Sequence, residues 1–219
     1  MNNHIKRRGM LIIISSPSGA GKTSAATALL QNDPNLHISV SATTRSPRSD
    51  EQHGKDYLFI SENEFLHHCD HGSFAEHAKV FGNYYGTFKT TVDDAIENGR
   101  DVLFVIDWQG TQQLSQSYAH DMVRIFMLPP TFEDLKIRLT KRNSDSLDVI
   151  NQRLLKATDE MSHWAEYDYV VINKDLDQTI EAIHDIIKSE RLRRRRQIDL
   201  MHFVNTLREA GENYAKSNN

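Results

Sequence analysis

An apolar run, Met10 to Ile14, leads directly into Ser16-Pro17-Ser18-Gly19-Ala20-Gly21-Lys22-Thr23 and then into the helix-forming stretch Ser24 to Gln31. The order is strand, tight loop, helix, and it describes a phosphate cradle opening an α/β fold. Gly19 and Gly21 let the backbone turn its N–H groups inward without Cβ clashes. Lys22 reaches β- and γ-phosphates, and the Thr23 hydroxyl is a Mg²⁺ ligand at a helix N-terminus that already favours anions. Ser16 stands where the strict pattern has glycine; the rest of the pattern survives. The reading is a nucleoside triphosphate site, against the plainer one of a glycine-rich strand-to-helix turn that holds nothing.

The same alternation continues. Val102 to Ile106 precedes the helical pattern Thr111 to Ser117, Met122 to Leu128 precedes Phe132 to Lys141, and Tyr169 to Ile172 precedes Leu176 to Arg191. Short apolar runs alternating with helices predict a parallel sheet covered by helices. From His37 to Thr90 the rhythm breaks into brief β-like pieces (His37 to Ser41, Tyr57 to Ile60, Phe74 to His77), a helix opened by the capping box Ser61-Glu62-Asn63-Glu64, and an aromatic turn from Phe81 to Gly86. This is the pattern of an inserted substrate-binding subdomain. A second interruption, Arg138 to Arg153, is polar and arginine-rich, with a flexible tip and new N-cap at Asn143-Ser144-Asp145-Ser146, and has the character of a lid. The expected division is a core of residues 1–36, 91–131 and 167–219, an insert of 37–90 and a lid of 132–166.

Composition removes several classes. Lys and Arg total 26 against 30 Asp and Glu, a net charge of −4, which argues against a general nucleic-acid binder. No apolar stretch approaches the ~20 residues of a membrane span. Lys6-Arg7-Arg8 before Met10 superficially suggests a signal peptide, but the apolar run is too short and the phosphate loop follows at once. Cys69 is the only cysteine, so no intrachain disulfide forms and a reducing, cytoplasmic setting is expected. His67 and His71 stand at i, i+4, but no second ligand pair at zinc spacing accompanies them. The basic run Arg191 to Arg196 reads as a solvated helix with carboxylate neighbours.

Ser41-Ala42-Thr43-Thr44-Arg45-Ser46-Pro47-Arg48 sets two guanidinium groups around a rigid proline in a loop leaving a strand. It is either a second anion site or a solvated basic loop. Tyr57, Glu76, Tyr85 and Thr87 combine aromatic, carboxylate and hydroxyl groups suited to a phosphate and a purine whose N–H edge needs an acceptor.

These segments resemble the guanylate kinases. The resemblance rests on Pro17 to Thr23, Ser39 to Arg48, Gly82-Asn83-Tyr84-Tyr85-Gly86-Thr87, Ile106-Asp107-Trp108-Gln109-Gly110 and Tyr167-Asp168-Tyr169, in the family's order along almost the entire chain. It implies a P-loop nucleoside monophosphate kinase with a parallel-sheet core, a GMP-binding insert and a lid. The γ-phosphoryl of MgATP would pass to GMP, and to dGMP beside it, giving ADP and GDP. By the same resemblance Ser18, Gly19, Ala20, Gly21, Lys22, Thr23 and Ser24 hold the ATP co-substrate with Asn173 at its adenine side, a turn or cap role being the alternative for Asn173. Thr23 serves Mg²⁺. Arg45, Arg48, Tyr57 and Tyr85 hold the GMP phosphate, and Ser41, Glu76, Thr87 and Asp107 surround the guanine. Glu76 accepting from guanine N1–H and N2–H₂ would exclude adenine, whose edge presents the opposite pattern.

Arg138 and Arg142 lie one helical turn apart and Arg153 falls on the next helical segment, so a lid brings them with Lys22 to the transferring phosphoryl group; the alternative is helix-surface charge. Two positions depart from the family. Val105 replaces an acid, which removes one carboxylate near the metal, and Thr87 replaces a serine while keeping the hydroxyl. A phosphorylated-sugar kinase on the same scaffold and a catalytically silent guanylate-kinase-like binding domain are the rival readings. Ser41, Glu76 and Asp107 argue against the first, Gly21-Lys22-Thr23 and the lid arginines against the second. Monomer and homo-oligomer both remain open.

Overall fold

The structure, a computed structural model, describes residues 5–80, 82–141 and 147–217. Strand β1 (Leu11–Ser15) is buried along its whole length, because it is the middle of a five-stranded parallel sheet. The sheet's order is β2 (Leu36–Ile38), β7 (Asp101–Phe104), β1, β8 (Met122–Leu128), β9 (Tyr169–Ile172). Alternate side chains of β1 enter two separate cores. Ile12 and Ile14 pack with Ala25 and Leu29 of α1 (Lys22–Asn32) and with Ile183 and Ile187 of α7 (Leu176–Arg191). Leu11 and Ile13 pack with Val92 and Ile96 of α3 (Lys89–Glu97) and with Leu114 and Tyr118 of α4 (Trp108–Tyr118). Helices thus cover both faces, as the continuous apolar strands require. The chain leaves β1 toward one edge of the sheet and later returns to the other side, so the loops after β1 and β7 flank a switch point where ligands bind.

A second sheet of four strands, in the order β4 (Leu58–Phe59), β3 (Ala42–Thr43), β6 (Asn83–Phe88), β5 (Phe74–Val80), packs on α2 (Glu62–Asp70) through Ala42, Phe65 and Phe74. The Ser61 half of the capping box is formed: the Ser61 hydroxyl accepts from the Glu64 N–H at 3.2 Å. Helices α5 (Phe132–Lys141) and α6 (Leu147–Met161) form a small pair with its own core of Leu135, Leu139, Ile150, Leu154 and Ala157. A last helix, α8 (Leu200–Ser217), follows a 3₁₀ turn at Arg194–Arg196. Among the described residues no helix is long and apolar enough to cross a membrane.

Several elements differ from expectation. His37 and Ile38 belong to the large sheet, pairing with Val102 and Leu103, so only the first two residues of the piece expected over His37 to Ser41 are strand, and the small sheet's β3 begins after it at Ala42. Most of the aromatic segment is strand β6, paired with β5 as a hairpin around Gly82; Phe81 lies outside the described residues, as does the expected tip Asn143 to Ser146. β7 stops at Phe104, two residues early, because the Ile106 carbonyl turns away from the sheet to accept from Lys22 Nζ at 3.2 Å and from Ser15 Oγ at 2.8 Å.

The C-terminal basic run has its carboxylate neighbours, but it is not one solvated helix: Arg193, Arg194 and Arg195 are exposed around a 3₁₀ turn, while Arg191 and Arg196 turn inward. Arg196 is only 1% exposed, within 3.6 Å of Glu190, and Arg191 ends α7 with its guanidinium on Asp101 and Asp33, each at 2.7 Å. Arg7 joins the same cluster by two bonds to Asp101 at 2.6 and 2.7 Å. The carboxylates at the end of the sheet away from the phosphate loop thus bind both terminal basic segments and fasten them to β7. Asp101 is fully buried. Asp101→Asn keeps its size but leaves two guanidinium groups short of an anion, so urea unfolding should report a loss of about 3–5 kcal/mol; unchanged stability would show that the cluster fastens nothing.

Candidate active site

The loop after β1 owes its shape to two left-handed residues, Gly19 at φ 88° and Gly21 at φ 100°. A Cβ on Gly19 would stand 2.9 Å from Leu139, and one on Gly21 would stand 2.6 Å from Asn173, so both positions are closed to side chains on two counts. Gly21 is the N-cap of α1, and its carbonyl accepts from Ala25 N–H at 3.1 Å. Lys22 starts that helix and points back across the loop to the Ile106 carbonyl. Burial pulls its ammonium below the ordinary lysine value, opposed by the charges of Asp107 and Glu160. Thr23 follows, exposed at the cleft, and Ser24 lies exposed one residue further on, outside the cleft lining.

A loop that turns its N–H groups inward must satisfy its carbonyls from outside. Ala20 is buried, and its carbonyl accepts from Asn173 Nδ2 at 2.7 Å and from Arg138 Nη1 at 3.4 Å. Asn173 is itself buried, with Oδ1 accepting from Thr179 Oγ1 at 3.1 Å, while Arg138 Nη2 donates to the Asn173 carbonyl at 3.1 Å. Asn173 is thus held behind the loop by its amide, the turn-or-cap alternative given for it, and Arg138 of α5 braces the loop from the same side. The reason is that Leu135 and Leu139 seat α5 directly against Gly19. Arg142 lies outside the described residues.

Across the cleft the small sheet supplies a polar pocket. Glu76 on β5 is 6% exposed and accepts from Thr87 Oγ1 at 2.7 Å; that hydroxyl also meets Ser39 Oγ at 3.2 Å and Ser41 Oγ at 3.1 Å. Burial pushes the Glu76 carboxyl above the usual range, Asp107 adds to the push, and the Thr87 bonds oppose it. Tyr57 and Tyr85 meet edge to face at 6.0 Å, with the Arg45 guanidinium 5.5 Å from the Tyr57 ring. Arg45 is held by Glu51 through bonds of 2.7 and 3.0 Å, and Glu51 also accepts from the Arg48 backbone N–H at 2.8 Å. The Arg45 pairing holds the Glu51 carboxyl below its ordinary range. The Arg48 side chain is exposed beside them.

Asp107 stands between the two halves. It caps α4 by accepting from Gly110 N–H at 3.0 Å, and its charge acts on both Lys22 and Glu76. Ser18, Gly19, Gly21, Lys22 and Thr23 on one side, Ser41, Tyr57, Glu76 and Tyr85 on the other, and Asp107 between them line one cleft of about 1200 Å³. Arg153 enters it from α6 together with Gln152, Lys156 and Glu160. Ala20, Thr87, Asn173, Arg45, Arg48 and Arg138 stand behind or beside this lining.

Residue-by-residue reasoning missed Glu51 and Glu160. An acid six residues beyond Arg45 in one short loop was a usable signal. For Glu160 there was none, since its partner, the Ser18 N–H at 2.9 Å, is 142 residues away in sequence.

A profile of the family described as guanylate kinase matches residues 8–190. The chain belongs to the guanylate kinase family. It is 52% identical over 204 residues to the guanylate kinase of Paramagnetospirillum magneticum, covering 93% of this chain and 95% of that one. To the guanylate kinase of Cereibacter sphaeroides it is 52% identical over 202 residues, covering 92% and 96%. A crystal structure of guanylate kinase from Anaplasma phagocytophilum superposes with a TM-score of 0.72 at 36% identity, covering 92% of this chain and 96% of that one. The reaction is that of a guanylate kinase, ATP and GMP giving ADP and GDP.

In this guanylate kinase the buried Glu76 carboxylate costs stability. Its carboxyl is raised in the folded state, so between the unfolded value near pH 4.5 and the raised folded value the folded chain binds more protons, and stability falls as pH rises. Glu76→Gln removes that penalty while keeping an acceptor for Thr87. Its melting temperature should exceed the parent's at pH 7.5, with the gap closing toward pH 4; a gap independent of pH would contradict the origin given.

Proposed function

We propose that the phosphate loop holds ATP, the small sheet holds GMP, and the transfer occurs over Asp107. The observation that carries this division is the single cleft with Lys22 and Thr23 on one wall and Glu76 and Tyr85 on the other. Backbone N–H groups of residues 18–23 and the Lys22 ammonium hold the donor phosphates. Arg45, kept in place by Glu51, acts with Arg48, Tyr57 and Tyr85 on the acceptor phosphate. Glu76, with Thr87, Ser41 and Asp107, reads the guanine edge. Deoxyribose is accepted beside ribose, since none of these groups is assigned to the 2′-hydroxyl.

Arg153 approaches the phosphoryl group from α6. Phosphoryl transfer asks for positioning and charge stabilisation, with little covalent work for the protein. Arg142 remains assigned to the same task from sequence alone, and Asn173 and Arg138 to holding the loop. The small sheet with α2 is the GMP-binding insert, shorter than 37–90 by the two residues of β2 at one end and by Lys89 and Thr90 of α3 at the other, and α5 with α6 is the lid.

The donor set fits Mg²⁺. An exposed Thr23 hydroxyl and the Asp107 carboxylate are hard oxygen ligands in the same cleft, and Mg²⁺ in such sites is held largely by phosphates and water. When bound, the ion neutralises charge developing on the phosphates. Cys69, a free thiol, fits a reducing cytoplasmic compartment.

The test is a coupled ADP-release assay with MgATP and each of GMP, AMP, CMP and UMP. GMP should be the strongly preferred acceptor, and Glu76→Gln should lower kcat/KM for GMP by roughly 10²-fold, because an amide satisfies only part of the guanine pattern. Efficient phosphorylation of AMP by the parent would remove the guanine assignment.

Val105 is partly buried against the core below β1 yet lines the cleft. If a carboxylate here helps order the metal's water shell, Val105→Asp should lower the Mg²⁺ concentration for half-maximal activity. A large fall in melting temperature without that gain would show Val105 to be core only, a buried unpaired carboxylate costing several kcal/mol.

A further inference from the structure

Glu160 sits in the last turn of α6, and its Oε2 accepts the Ser18 N–H at 2.9 Å. Ser18 is the first exposed residue of the phosphate loop, and its N–H is one of the donors that the loop's geometry offers to an anion. The carboxylate is mostly shielded, 14% exposed, and Lys156 one turn back on the same helix face is 3.8 Å away and 73% exposed. Glu160 is also one of two carboxylates whose charge acts on the Lys22 ammonium. A side chain from the far end of the chain thus occupies, with the right charge, a place in a loop built for phosphate.

We propose that Glu160 competes with the donor nucleotide for the phosphate loop and so sets the enzyme's affinity for ATP. The proposal rests on residues 16–23 being the triphosphate site. One N–H hydrogen serves one strong acceptor, and a carboxylate beside a triphosphate adds like-charge repulsion in a half-enclosed cleft. ATP therefore binds only as Glu160 leaves Ser18, and Lys156 is the partner that receives it. Because Glu160 belongs to α6, its release unties from the loop the helix that carries Arg153, which links occupation of the donor site to the placement of an arginine. GMP contacts none of these atoms, so the effect is confined to the donor. Glu160 is a positioning residue on this account, with no contact to the reacting atoms.

The experiment is calorimetric titration of the full chain, in Mg²⁺ buffer, with a non-hydrolysable ATP analogue and separately with GMP. Glu160→Gln keeps the size and an acceptor oxygen but drops the charge, and it should bind the analogue roughly three- to thirtyfold tighter with GMP affinity within about twofold of the parent. In steady state KM for ATP should fall while kcat does not rise. Glu160→Asp, which keeps the charge but withdraws it by one methylene, should also tighten the analogue and covers the case in which the glutamine variant folds poorly. Unchanged or weaker analogue binding in both variants overturns the proposal, as does an equal gain for GMP. Lys22→Ala separates the two levels. If it loses the analogue while the Glu160 variants gain nothing, only the competition fails; if it binds the analogue as the parent does, the triphosphate site is misplaced and the proposal falls with it.

Discussion

Everything at this site depends on the Ala20 carbonyl being held from behind. A loop that aims its N–H groups at an anion exposes its carbonyls to the protein, and a buried carbonyl without a donor would cost more than the loop's own bonds return. Asn173, from the end of β9, and Arg138, from α5, both donate to that oxygen. The same two groups bring the strand carrying Asn173 and the helix carrying Arg138 against the loop, so the cradle, the sheet's outer strand and the α5–α6 pair form one body. Gly21 completes the arrangement, since any side chain there would collide with the Asn173 amide.

A similar economy holds at the end of β7. The strand gives up its last residues so that one carbonyl, that of Ile106, can accept from both Ser15 and Lys22. The chain then turns to let Asp107 cap α4. One short segment therefore anchors the lysine of the loop after β1 and positions a carboxylate between the two walls of the cleft. Helix capping and site construction are here the same interaction.

Glu76 shows the opposite relation between stability and use. A carboxylate buried under Gly110 and α4, with a threonine hydroxyl for its partner, is expensive to fold, and the direction of its titration says so. On the proposed division of the cleft, the expense is concentrated where a purine edge with two N–H groups needs an acceptor. Arg45 and Glu51 treat the neighbouring problem differently: the guanidinium is kept charged and oriented by an acid in its own loop, whose two oxygens both accept from it.

Much of this molecule was legible in the chain. Met10 to Thr23 determined a strand, a glycine loop and a helix, because the apolar run and the two glycines permit no other local geometry. Ser61 started α2 by its own hydroxyl, and the segments around Arg45, Glu76 and Tyr85 named the chemistry of the cleft's second wall. The tertiary structure decided what depends on residues distant in sequence. Helix α3 went unread because its three buried residues, Val92, Ala95 and Ile96, are too few to mark a face until the sheet is beneath them. Asn173 and Arg138 were read for their chemistry, but which carbonyl they would brace was decided by the packing of β9 and α5 against the loop. The basic run to Arg196 had the composition of a solvated surface, and Asp33, Asp101 and Glu190 drew its two ends, Arg191 and Arg196, inward. Glu160 could be placed only by folding, because its partner is a backbone N–H, and an N–H leaves no trace in the sequence that says which carboxylate will reach it.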